Sequence, residues 1–453
     1  MPLDQNPISA YPPRVALNTR VMGVIGSART ARRNILELLP EIATRQLMVS
    51  GRTGLRWHMV MDPAALRRIF KDNLQNYPRS EVTRLILEPA IGQSMFVAEG
   101  ANWRWQRLAA APAFAQRNIQ ALAPVMSAAA AAGVRRLEAA TGPINALDEM
   151  IAATFEVISD VTFSGGAGLE RRSVHRAIET YTAGTAKLSV LDVLGAPRWV
   201  PRPVRMFSGR QIRDLKSISD AIIDDRRRTG PHPVPDLLDL LQAGVDPETG
   251  RTMTTAELRD NLLTFIVAGH ETTALSMAWA LYLCAFDPAV QDRAAAEARA
   301  VLGDRIAGAG DVAKLPYIRQ IIDESLRLYP PAGMVTRTAR APDRLAGRDI
   351  RKGDTVMIPF YALHRNHVLW DDPDRFDPDR FAPGITRDRF AFLPFGAGPR
   401  ICIGAGFAVQ EAVIILASLL ARYRFATTDR HPQPRMIVTL RPHGGVWLTV
   451  SPR

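Results

Sequence analysis

Phe395-Gly396-Ala397-Gly398-Pro399-Arg400-Ile401-Cys402-Ile403-Gly404 reads as a tight loop around a cysteine. Its glycines let the backbone turn sharply and approach a flat ligand closely. An apolar helix follows, with Ile415, Leu416, Leu419, Leu420 and Tyr423 on one face. Free amides at the start of that helix, together with its positive end, favour a cysteine held as thiolate. A thiolate is a strong iron ligand, and Arg400 suits a carboxylate of the same cofactor. The other cysteine, Cys284, lies in an apolar helical run and reads as a small buried hydrophobe.

Upstream, a capping box of Thr254 with Glu257 opens the longest predicted helix, which runs to Phe286 and stops at Asp287-Pro288. At about 1.5 Å per residue it spans roughly 50 Å. Its second half is apolar nearly all round, so it has to pass through the middle of the molecule. The polar run Ala268-Gly269-His270-Glu271-Thr272-Thr273 is then buried. Glycine inside a helix costs about 1 kcal/mol relative to alanine, and buried Glu and Thr add desolvation. A functional notch accounts for these costs: Gly269 makes room, and Thr272, bonding the carbonyl one turn back, loosens the helix enough to seat a small diatomic molecule. A packing glycine beside a polar cluster that merely kinks the helix accounts for them equally well.

A second helix, Lys314 to Tyr329, is opened by Pro316 and stopped by Pro330-Pro331, with Glu324 and Arg327 three residues apart on one face. Such pairs are usually exposed and worth under about 1 kcal/mol. The later stretch Phe376, Pro378, Arg380, Phe381 offers Glu324 a second cation. Strand signals are few. A hairpin is expected from Arg45–Ser50 and Leu55–Met61 around Gly51–Gly54, followed by a helix from Asp62-Pro63 to Phe70. Two more are expected, Arg348–Ile358 turning at Lys352-Gly353-Asp354 and Met436–Val450 turning at Pro442–Gly445. The proline-rich Ala196–Val204 reads as a mobile connection.

The 453 residues are 47% hydrophobic and 23% charged, which describes a globular chain and excludes a disordered or fibrous one. Two cysteines in a chain of this size suggest a reduced, intracellular setting rather than a disulfide scaffold. The net charge of +12 fits acidic partners. Runs such as Arg226-Arg227-Arg228 are short and scattered without a nucleic-acid motif, so nucleic acid is set aside. Val21–Ile25 is too short for a signal segment, and Leu262–Ala285 and Ala412–Ala421 are respectively interrupted and too short to span a bilayer. A cytoplasmic protein without a transmembrane anchor is expected.

Four separated motifs together resemble the cytochrome P-450 haem-thiolate monooxygenases, and they occur in that family's order: Trp103-Arg104-Trp105-Gln106-Arg107, Ala268–Thr273, Glu324 with Arg327, and Phe395–Gly404. The likeness covers nearly the whole chain. It implies a mainly α fold with small β-sheets and a long central helix over a haem. One domain, 1–453, is expected, with a β-rich lobe at about 40–65, a helical body at about 66–330 and a β and haem-loop region at about 331–453. The resemblance implies haem b (iron protoporphyrin IX), with Cys402 as its metal ligand in a loop that includes Phe395, Gly396 and Gly404. Trp103, Arg107, Arg337 and Arg400 would hold the propionates. Glu324, Arg327 and Arg380 would form a structural triad; Arg375-Phe376 mimics Arg380-Phe381, but only the latter has the family's spacing. Ala268 and Gly269 would border the oxygen site, with Glu271 and Thr272 as acid and alcohol.

The implied activity uses O2 and two singly delivered electrons to hydroxylate or otherwise oxidise a lipophilic small molecule. Family placement puts Arg79–Gly100, Ala196–Val204 and Met334-Val335 around the pocket, with Leu85, Ile86, Phe96 and Met334 making it apolar. No flavin, dinucleotide or iron–sulfur motif is present, so a separate ferredoxin or flavodoxin with its NAD(P)H reductase is expected, docking near Arg104 and Arg117 on the Cys402 side of a monomer. Two alternatives are a peroxide-driven enzyme without a reductase and a haem sensor or carrier without turnover.

Overall fold

The computed structural model describes residues 11–163 and 209–453, except 21, 54, 81–83, 85–87 and 89–90. Ala196–Val204, Leu85 and Ile86 lie outside the described residues. The elements that position the site are helices α1 (Gly100–Ala110), α2 (Ala123–Glu138), α3 (Ala146–Phe163), α4 (Thr255–Phe286), α5 (Pro288–Leu302), α6 (Pro316–Leu328) and α7 (Ala405–Leu420).

Helix α4 begins at the expected capping box: Thr254 Oγ1 accepts from the Glu257 amide, and the Glu257 carboxylate accepts from the Thr254 amide. Asp287 ends it, and the Asp287 side chain accepts from the amides of Ala289 and Val290 to start α5. Most side chains from Leu258 to Ala285 are buried, as an all-round apolar pattern requires. Helices α3, α6 and α7 all pack against α4, so it runs through the core. Near its C-terminal half, Trp279 stacks on Tyr329 with ring centroids 3.7 Å apart, joining α4 to the end of α6. Among the described residues no single helix is long and apolar enough to cross a membrane.

The N-terminal hairpin consists of β1 (Met48–Thr53) and β2 (Leu55–Val60), paired from Met48↔Val60 to Thr53↔Leu55. Pairing therefore continues through Gly51, Arg52 and Thr53, which the sequence pattern assigns to the turn. Asp62 then caps the short helix Pro63–Arg67 by accepting from the Ala65 amide. The two later hairpins are not formed as expected. After β3 (Ile144–Asn145) and β4 (Val335–Thr338), β5 (Asp343–Leu345) pairs with β6 (Arg348–Ile350), while β7 (Thr355–Ile358) lies between β2 and β4. After β8 (Tyr423–Thr427), β9 (Gln433–Met436) pairs with β10 (Leu440–His443), while β11 (Trp447–Pro452) joins β8 and β3. The turns at Gly353 (φ 88°) and Gly444 (φ 91°) exist, but they pass the chain from one sheet to another. Alternating apolar residues identify a strand, whereas its partner depends on which sheet edge remains open.

Candidate active site

The Cys402 loop is closed by its own backbone, the Phe395 carbonyl accepting from the Cys402 amide at 2.9 Å. Gly398 has φ 67°, and a Cβ there would lie 1.9 Å from the Phe70 carbonyl oxygen. Glycine is therefore required for the loop to rest on that segment. Gly404 then caps α7. The loop forms one wall of a cavity of about 340 Å³, lined by Phe395, Gly396, Arg400, Cys402 and Gly404. Ala268, Gly269 and Thr272 of α4 line the same cavity. A Cβ at Gly269 would meet only Ile158 Cδ1, at 3.8 Å, so the helix surface is open there.

Cys402 is exposed to the cavity, with protein around the rest of it. Burial pushes its thiol up, against the opposing pull of the Gly404 amide and Arg107. The loop amide thus favours the thiolate as the sequence suggests, while desolvation opposes it. A coordinated metal cation would deprotonate such a thiol outright.

Trp103 and Arg107 of α1, with Arg337 of β4 and Arg400, also line the cavity. Arg400 Cζ lies 4.5 Å from the Trp103 ring centroid. Arg107 is electrostatically coupled to Cys402. Arg337 and Arg400 instead cluster with Arg79, which the sequence places only within a pocket-lining segment. Arg79 pairs with Arg337 in an isolated antiparallel bridge and lines the cavity too. Burial and the neighbouring guanidinium groups hold Arg79 down to about 9 and Arg337 down to about 10. The Nε atoms of both are buried without a hydrogen-bond partner. Stranded donors and uncompensated positive charge are costly, so the cluster suits a ligand with carboxylates. With a thiol and glycine-bordered walls beside it, the donor set fits haem.

Thr272 Oγ1 donates to the Ala268 carbonyl at 2.6 Å, yet α4 continues as regular helix through the whole polar run. The expected loosening is thus not a break in the helix, since the hydroxyl bond is added to the backbone ladder. Glu271 is buried and is not among the residues lining the cavity. Its Oε1 accepts from the Thr439 hydroxyl and from Arg441 Nε at 2.7 Å. Neither partner carried a signal in the sequence, because both approach α4 from the β9–β10 hairpin.

Glu324 and Arg327 are fully buried and joined in a two-pronged pair, Nε to Oε2 at 2.6 Å and Nη2 to Oε1 at 2.7 Å. This departs from the exposed pair that i,i+3 spacing usually means. Arg327 also donates to the carbonyls of His364, Pro373 and Arg375. Arg380 Nε approaches Glu324 Oε1 at 3.5 Å, while its two terminal nitrogens donate to the carbonyls of Asp371 and Asp372. Arg375 contributes its backbone carbonyl to this cluster. A further acid, Glu411 of α7, lines the cavity, buried and with Oε1 lacking a hydrogen-bond partner. Its place in an apolar helix gave no periodic signal beyond the presence of a charge.

The family model for cytochrome P-450 matches residues 48–448. Cyclooctatin synthase from Streptomyces melanosporofaciens is 30% identical over 430 residues, spanning 92% of each chain. Cyclooctat-9-en-7-ol 5-monooxygenase from the same organism is 31% identical over 410 residues, 88% of this chain and 87% of the relative. Among solved structures, the cytochrome P450DA heme domain superposes with a TM-score of 0.78 at 26% identity, covering 90% of each chain. A cysteine and a helix notch across one cavity, within a chain matched almost from end to end, place this protein in the cytochrome P-450 family of haem-thiolate monooxygenases.

Proposed function

We propose that this protein binds haem b between α4 and the Cys402 loop and uses O2 with two externally supplied electrons to oxidise a lipophilic small molecule. The observation that carries this is the presence of Cys402 and Thr272 on one cavity whose remaining walls include Met95, Phe96, Phe114, Phe265 and Val335. A relative named for oxidising cyclooctat-9-en-7-ol, an alkenol, supports an apolar substrate class. Bound there, haem supplies the iron and redox chemistry for activating O2.

The residues divide the remaining work. Cys402 is the iron ligand, within the turn shaped by Phe395, Gly396 and Gly404. Trp103, Arg107, Arg337 and Arg400 hold the propionates, and Arg79 joins them. Ala268 and Gly269 leave space beside Thr272, whose hydroxyl turns from the Ala268 carbonyl to offer its proton to the cavity. Glu271 replenishes that proton from solvent, which requires its carboxylate to part from Thr439 and the half-exposed Arg441. Glu324, Arg327 and Arg380 hold the segment leading to the loop. We assign the protein as a single-domain cytoplasmic monomer supplied by a separate ferredoxin or flavodoxin with its NAD(P)H reductase.

Turnover with NAD(P)H and surrogate redox proteins, compared with hydrogen peroxide alone, tests the reaction. In the first system Thr272→Ala should keep consuming NAD(P)H while product per NAD(P)H falls steeply and peroxide accumulates, since a positioned proton donor is typically worth about 10²–10⁴-fold. An unchanged ratio would remove Thr272 from the mechanism. Cys402→Ser should lose the thiolate-type absorption of the reduced carbon monoxide complex; its survival would overturn the ligand assignment.

A further inference from the structure

We propose that Glu99 is a positioning residue that aims Arg400 and sets the charge of the arginine cluster, an inference that rests on the haem reading above. Arg79, Arg337 and Arg400 meet at one part of the cavity, and Glu99 is the carboxylate whose charge bears on all three. Glu99 immediately precedes α1, the helix carrying Trp103 and Arg107. One of its oxygens accepts from the Arg79 backbone amide at 3.2 Å, and the other accepts from Arg400 Nη2 at 2.5 Å. The Ala98 carbonyl accepts a second N–H from Arg400 at 3.1 Å. One acidic side chain thus joins the Arg79 segment, the start of α1 and the Cys402 loop. With Arg400 anchored at two points, its guanidinium lies over the Trp103 ring.

Charge balance points the same way. Arg79, Arg337 and Arg400 offset by one carboxylate leave a surplus of two positive charges, which the two propionates of a protoporphyrin neutralise, while the further charge of Arg107 is shared with Cys402. Without the Glu99 charge, three cations would face two propionates in a poorly solvated site. An added net positive charge beside the iron favours its reduced, less positive state, so the reduction potential rises. Loss of an Arg79 or Arg337 charge acts in the opposite sense. A merely structural Glu99 would not produce these opposite shifts.

The test is spectroelectrochemical titration of the haem-loaded full-length protein, with haem release to apomyoglobin as a second readout. Glu99→Gln should favour ferrous over ferric haem about tenfold, equivalent to about 59 mV upward for one electron. Glu99→Asp, which keeps the charge, should stay near the parent potential but release haem faster because the shorter side chain aims Arg400 less well. Arg79→Gln should move the potential downward. If Glu99→Gln retains no haem, the decision rests on Arg79→Gln and Glu99→Asp, and a potential for Arg79→Gln at or above the parent's overturns the proposal. Parent protein that takes up no haem would end the haem reading itself. Haem-loaded parent and Glu99→Gln at the same potential would overturn only the role of Glu99.

Discussion

Glu411 shows how a single side chain carries pH dependence into the fold. Burial pushes its carboxyl well above the ordinary 4.5, and one oxygen has no hydrogen-bond partner. The acid is therefore held neutral in the folded chain and ionises readily in the unfolded one. A group raised in the folded state contributes stability below its unfolded value, and that contribution is lost as pH rises towards the folded value. Within this window the loss amounts to about 1.4 kcal/mol per pH unit. Glu411→Gln keeps the shape without the charge. In denaturant unfolding of the haem-loaded protein it should match the parent near the ordinary carboxyl range and become progressively more stable than it towards neutral pH. Parallel pH profiles would show that Glu411 is not held neutral. Cys402 was legible from its glycines and its spacing to Arg400. Glu411 was not, because an acid in an apolar helix looks the same whether it borders a cavity or reaches solvent.

At the scale of elements, the Cys402 loop depends on contact with a segment far earlier in the chain. Gly398 abuts the Phe70 carbonyl with a positive φ, so a methyl group there meets both a backbone clash and a disfavoured conformation. Gly398→Ala should push the loop off this segment, costing about 1–3 kcal/mol and lowering the haem-to-protein absorbance ratio several-fold. Gly353→Ala is the control: φ is 88°, nothing lies within 4 Å of the added methyl, and the turn is outside the cavity, so haem content should be unaffected. Equal haem content in the two variants would mean that the loop tolerates displacement. The same contrast explains the strands. Their turns were readable from Gly353 and Gly444-Gly445, but β7 pairs parallel with β2, a partner that can be reached only through a long crossover.

Across the molecule, the Glu324–Arg327 pair connects the central body to the active-site loop. Arg327 donates to the His364 carbonyl, and His364 Nε2 accepts from the Leu393 amide at 2.9 Å, two residues before Phe395. Burial, then the nearby Arg327 and Arg365, hold His364 down to about 3, so it stays neutral and able to accept. Arg327→Ala should cost about 3–5 kcal/mol by leaving Glu324 charged and unpaired in the interior. Chemical denaturation measures that cost, and haem loss should accelerate with it; a loss below about 1 kcal/mol would place the pair among ordinary surface pairs. Residue order alone specifies the long capped helix, the glycine-shaped loop and the cysteine it carries, because capping and backbone turns act between near neighbours. Packing selects the rest: Arg79 beside Arg337, Glu271 tied to Arg441, Glu99 across to Arg400, and β2 against β7. Each joins segments distant in the chain, and the free energy of a buried charge or an open strand edge depends on the neighbour that folding brings to it.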